Sequence, residues 1–98
     1  MIINLKEFPI SEENYDSIIK LYNLLSKVDK TLFTYENMIE YFHSLHPSHN
    51  IYAYIMNNKI VGLITLLIEP KIIHNGKFVG HIEDLVVDAD YRKMSVAS

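Results

Sequence analysis

A chain of 98 residues can build one small core but not two, since domains cluster near roughly 100–150 residues. With 49% hydrophobic and 21% charged residues and only three glycines and three prolines, it is globular in composition, which excludes collagenous, low-complexity and disordered architectures. The absence of cysteine excludes a disulfide framework and thiolate chemistry, and 9 Lys+Arg against 12 Asp+Glu, a net charge of −3, leaves no basic footprint for nucleic acid or an anionic membrane.

Ile3 and Leu5 alternate with Asn4 and Lys6 up to Phe8-Pro9, which predicts a short half-buried first strand. Ser11 can cap a helix whose first turn holds Glu12 and Glu13, both favourable at the positive end of the helix dipole. Tyr15, Ile18, Ile19, Tyr22 and Leu25 then recur at helical spacing, with Leu21, Leu24 and Val28 widening the stripe, so the first helix is expected from about Glu12 to Ser26. Thr34 caps a second helix expected over Tyr35 to Leu45, where Met38, Ile39, Phe42 and Leu45 keep the spacing until His46-Pro47 stops it.

Past Pro47 the pattern turns to strands. Ile51 to Met56 is rich in β-branched and aromatic residues, and Asn57-Asn58 suits a two-residue hairpin turn because Asn tolerates positive φ. The partner strand, Lys59 to Glu69, is nearly unbroken in its apolar character, which predicts burial on both faces. A loop holding His74-Asn75-Gly76-Lys77 reverses the chain, and Phe78 to Val87 forms a last strand ending at Asp88-Ala89-Asp90. The expected order is β-α-α-β-β-β in one domain spanning 1–98. Its longest apolar stretch, Ile60 to Ile68, falls short of the about 20 residues of a membrane-spanning helix, and Met1 to Lys6 lacks the features of a secretory signal. A soluble, cytoplasmic protein is expected.

The last strand carries the residues of most chemical interest. In a regular strand His81, Glu83, Leu85 and Val87 share one face, and Gly80, Ile82, Asp84 and Val86 the other, which splits the adjacent carboxylates Glu83 and Asp84. A bulge at this point would re-aim one of them so that both reach one pocket.

With this element order, the run Arg92-x-x-Ser95-x-Ala97 resembles the pyrophosphate loop of the GNAT superfamily of acetyltransferases. There, backbone N–H groups at a helix start cradle the pyrophosphate of coenzyme A. The longer string Thr65-Leu66-Leu67-Ile68-Glu69-x-Lys71-Ile72-Ile73-His74-x6-Gly80-His81-Ile82-Glu83-Asp84 is similar to the glucosamine-6-phosphate N-acetyltransferases of eukaryotic type. The resemblance implies an α+β, GNAT-type acyl-CoA N-acyltransferase fold, of which this chain is the N-terminal part, with a mostly antiparallel sheet flanked by helices.

It further implies transfer of acetyl from acetyl-CoA to the amine of glucosamine 6-phosphate, for the synthesis of UDP-N-acetylglucosamine. The substrate residues it implies are Ser26, Lys71, Ile72, Ile73, His74, Glu83, Asp84 and Leu85. Leu85, Val86 and Val87 would flank the pantetheine arm, and Lys93, Met94, Ser95, Val96, Ala97 and Ser98 the pyrophosphate, Ser95 standing where the family carries glycine. The implied catalytic residues lie in elements that the family carries beyond the position of Ser98. No metal is implied, the partner is a small-molecule substrate, and a homodimer is allowed. The chemistry of the side chains is compatible, since Lys71 and His74 can meet a phosphate, and Glu83 and Asp84 can accept from an amine and hydroxyls.

Other readings stay open. The chain could be a truncated, non-catalytic remnant or interaction module of that family, or a GNAT enzyme for another amine. His43, His46 and His49 recur every three residues, but Pro47 breaks their register and no acidic or thiol ligand accompanies them, so a solvated helix end explains them better than a metal site. Tyr15, Tyr22, Tyr35, Tyr41 and Phe42 read as core and rim packing. If Phe78–Val87 ends the sheet, its open edge and uncovered face predict self-association.

Overall fold

The computed structural model describes residues 1–72 and 75–91. The elements are β1 (Ile2–Asn4), α1 (Glu12–Tyr22), α2 (Tyr35–Ser44), β2 (His49–Met56), β3 (Lys59–Pro70) and β4 (Phe78–Val87). The strands form one antiparallel sheet in the order β1-β2-β3-β4, so each pairs with its predecessor in the chain. This is the expected β-α-α-β-β-β arrangement of the N-terminal part of a GNAT-type α+β fold.

Local signals account for most boundaries. The Ser11 hydroxyl accepts from the backbone N–H of Asn14 and starts α1, and Thr34 forms a reciprocal capping box with Asn37 at the start of α2. Asn57 and Asn58, at φ 55° and 61°, make the hairpin between β2 and β3, as a turn of mirror-image type requires. β4 stops at Asp88, whose buried carboxylate accepts from the N–H of Asp90 and faces Lys59.

Three expectations are corrected. β1 ends at Asn4 because its side-chain oxygen accepts from Lys6 N–H and its carbonyl from Glu7 N–H, which folds the chain into a turn before Phe8. α1 ends at Tyr22 instead of Ser26: Leu24 and Leu25 continue in a tight turn, 54% and 49% exposed, so the apolar stripe outlasts the face it packs against. Among the described residues, helices cover only one face of β3.

Register explains the last point. Ile51, Ala53, Leu63, Thr65 and Val86 are matched across β2, β3 and β4 and point toward the helices, where they pack with Ile18, Leu21, Met38 and Phe42 in the core. The alternate residues Ile2, Tyr54, Ile64, Leu66 and Ile82 lie on the other face, which no helix covers among the described residues. Ile2 and Ile82 are accordingly 67% and 66% exposed. No helix among the described residues is long and apolar enough to cross a membrane.

Candidate functional site

The pairing of β4 with β3 slips between Leu63 and Thr65. Leu63 faces Val86 and Thr65 faces Glu83, so Asp84 and Leu85 together oppose Ile64. Asp84 sits at the slip with φ 50°, in the left-handed region that Asp enters more readily than most residues. Of the two arrangements open to this strand, the bulged one is present and the regular alternation is not. Past the bulge the phase shifts by one, Val86 turns into the core beside Leu63, and Glu83 keeps the helix side.

The consequence is a cleft of about 570 Å³ on the helix-covered side of the sheet, lined by both Glu83 and Asp84. Its floor and walls come from Thr65 and Ile51 in the sheet, Tyr22 at the end of α1, Phe42 in α2, and the loop from Lys27 to Phe33. Tyr22 is the floor's polar feature. Its phenol is hydrogen-bonded to the side chain of the buried Thr65, and its pKa is pushed up to about 12 by burial first, then by Tyr41, with the nearby Asp84 carboxylate also opposing ionisation. The floor therefore presents a neutral hydroxyl beside two exposed carboxylates.

The loop is held by hydrogen bonds back to the end of α1. Ser26 N–H donates to the Tyr22 carbonyl and Val28 N–H to Asn23 Oδ1, which brackets Lys27 from both sides. Asp29 also lines the cleft, but its carboxylate already accepts from the backbone and hydroxyl of Thr31, and these two bonds hold it below the usual carboxylate range.

Further along the sheet, Lys71 Nζ lies 3.0 Å from Glu69 Oε1 and His81 Nε2 lies 3.0 Å from Glu69 Oε2. The Lys71 ammonium, bonded to Glu69, holds that carboxyl below its ordinary pKa, with His81 adding to the effect.

Of the expected site residues that are described, Glu83 and Asp84 share the cleft and the others do not line it. Lys71 pairs with Glu69 and does not line the cleft, Ile72 is 94% exposed, and Ser26 is exposed next to the lining residue Lys27. Leu85, Val86 and Val87 line a second, mostly apolar depression of about 290 Å³ with Tyr52, Tyr54 and Ile64. Ile73 and His74, and Lys93 to Ser98, lie outside the described residues.

Four cleft residues stand out only in the fold. Tyr22 reads as one more member of an apolar stripe, and His49 as part of a solvated helix end. Thr65 does carry a signal, as a polar interruption of the apolar run Ile60 to Ile68, but its partnership with Tyr22 depends on packing. Lys27 has no local signal at all. Among the described residues, His43, His46 and His49 do not gather with acidic groups around a common point, and His46 Nδ1 instead binds the backbone and hydroxyl of Ser48.

Comparison with known proteins agrees with this architecture. The model described as the acetyltransferase (GNAT) family matches residues 15–98. The glucosamine 6-phosphate N-acetyltransferase of Trypanosoma brucei brucei is 45% identical over 42 residues, covering 43% of this chain and 29% of that protein. The glucosamine 6-phosphate N-acetyltransferase 1 of Dictyostelium discoideum is 36% identical over 73 residues, covering 69% of this chain and 46% of that protein. The crystal structure of glucosamine-6-phosphate N-acetyltransferase from Arabidopsis thaliana superposes with a TM-score of 0.72 at 26% identity, over 98% of this chain and 65% of that one. The chain thus spans less than half the length of these two curated relatives and about two thirds of the solved one.

Proposed function

The chain belongs to the acetyltransferase (GNAT) family, and from that membership we propose that it forms part of a glucosamine-6-phosphate N-acetyltransferase, working in the cytoplasm as a homodimer on a small amino-sugar phosphate. The observation that carries the reading is the bulge at Asp84, which puts two neighbouring carboxylates into one cleft with a neutral phenol between cleft and core. An amino sugar offers an amine and hydroxyls, and Glu83, Asp84 and Tyr22 are the acceptors and the donor that such a group needs.

Acetyl-CoA, when bound, supplies an acetyl group activated as a thioester. The C–N bond forms as the C–S bond breaks, and one amine proton is transferred overall to the departing sulfur. The work of Glu83 and Asp84 is to hold the amine and its neighbouring hydroxyls at attack distance, a positioning effect that needs no covalent intermediate with the protein. The residues present fit the second substrate. β4 has no strand on its outer side among the described residues, so its edge at Leu85 and Val86 can pair with the amides of an extended pantetheine arm, and Val87 adds apolar surface. Lys93 to Ser98 would cradle the pyrophosphate, and Lys71 to His74 with Ser26 would border the sugar phosphate.

The test is release of free thiol from acetyl-CoA by the purified chain. Release that requires glucosamine 6-phosphate, and that falls away in Glu83→Gln, supports the reading. No release, together with no thermal shift on adding coenzyme A, overturns it.

A further inference from the structure

The charges that line the cleft are unequally satisfied. Asp29 Oδ1 already accepts two bonds from Thr31, while the side chain of Glu83 makes no hydrogen bond or ion pair among the described residues. The Asp84 side chain likewise has no hydrogen bond or ion pair among the described residues, and the phenol of Tyr22 near it stays neutral. On the loop after α1, Lys27 is the one lysine lining the cleft among the described residues, and it too has no partner there. Other lysines are engaged elsewhere: Lys30 with Asp16, Lys59 with Asp88, Lys71 with Glu69 and Lys6 with the His46 carbonyl.

A cleft with an unspent cation on one element and two unspent carboxylates on another suits a ligand of the same double character. Such a ligand carries an ammonium or amine at one end and an anion at the other. The backbone bonds at Ser26 and Val28 fix where the lysine stem starts, so Lys27 is presented by a braced loop instead of a loose one. Its stem can extend along the partly buried Val28 and leave the ammonium over the cleft. Lys71, by contrast, could serve an anion only by sharing itself with Glu69.

We infer that Lys27 binds the anionic group of the substrate, and that it is the residue by which this cleft prefers a phosphorylated amino sugar to an unphosphorylated one. The inference rests on the function proposed above, and it assigns the phosphate-selective contact to the loop after α1.

Isothermal titration of the chain with glucosamine 6-phosphate, glucosamine and glucose 6-phosphate tests it. The wild type should bind glucosamine 6-phosphate tightest. Lys27→Ala should weaken that ligand by about tenfold, the worth of one charge-assisted hydrogen bond, and leave the affinity for glucosamine unchanged. Lys27→Arg should restore most of the loss, and Lys20→Ala, on exposed α1 surface away from the cleft, should change none of the three. If Lys27→Ala weakens both amino sugars alike, or neither, Lys27 is not the phosphate contact and the inference fails while the proposed function stands. If the wild type binds none of the three sugars, the proposed function fails and takes the inference with it.

Discussion

Tyr22→Phe probes the floor of the cleft, because it removes one oxygen and keeps the ring. Below pH 10 the phenol is neutral whether the chain is folded or not, and its bond to the buried Thr65 hydroxyl contributes about 1–2 kcal/mol that the variant lacks. Between pH 10 and about 12 the unfolded chain ionises this phenol while the folded chain holds its proton. The unfolded state then binds one proton fewer, so wild-type stability falls by about 1.4 kcal/mol per pH unit, roughly 3 kcal/mol across the window. The stability attached to the raised pKa is thus complete below pH 10 and lost as the pH climbs to about 12. Phenylalanine has nothing to ionise, so the wild-type advantage should shrink above pH 10 and reverse near about pH 11. Urea unfolding of both proteins across this range measures it, since the remaining titrating groups are common to the two. A difference that stays constant with pH would show that Tyr22 is not the buried, Thr65-bonded phenol described here.

Asp84→Asn should unfold within about 0.5 kcal/mol of the wild type, because Asn accepts the left-handed backbone, yet bind amino sugars more weakly in titration; Asp84→Val should lose about 1–2 kcal/mol through backbone strain alone. Equal stabilities of the two variants would argue against a bulge at this residue. Thr34→Ala should cost about 1 kcal/mol in urea unfolding by removing the capping box of α2. The sheet face that no helix covers among the described residues should make the chain self-associate, and Ile2→Thr with Ile82→Thr should reduce that in sedimentation velocity. A wild type that sediments as a clean monomer would contradict it.

Elements whose cause is local could be read from the residues themselves. Ser11 and Thr34 begin their helices with their own hydroxyls, Asn57-Asn58 turns because both residues accept positive φ, and β4 is bounded as its apolar pattern predicts. What escaped depends on partners distant in the chain. Nothing about Leu24 and Leu25 reveals that they stay about half exposed among the described residues, and the apolar run of β3 looks the same whether one face or two are covered. In the site, Glu83 and Asp84 were legible as an unusual pair on a strand, but their sharing of a cleft needed the slip against Thr65. Lys27 was not legible, because its position is set by Asn23 and Tyr22 through loop hydrogen bonds.

The residues around the slip show why the bulge falls where it does. A regular β4 would point Asp84 to the face of Ile64 and Leu66 and would put Leu85 in place of Val86 beside Leu63. A carboxylate would then lie against apolar surface, and a longer side chain would enter a core in which Leu63 is already 1% exposed. One extra residue removes both conflicts. Asp84 takes the left-handed conformation that few other residue types tolerate, Leu85 is left 51% exposed, and Val86 closes the core at 4%. Packing and chemistry therefore select the same residue. The core's demand for Val86 forces the slip, and the slip delivers the second carboxylate to the cleft. A replacement that keeps the charge but resists positive φ should disturb both, whereas one that keeps the conformation but removes the charge should disturb only binding.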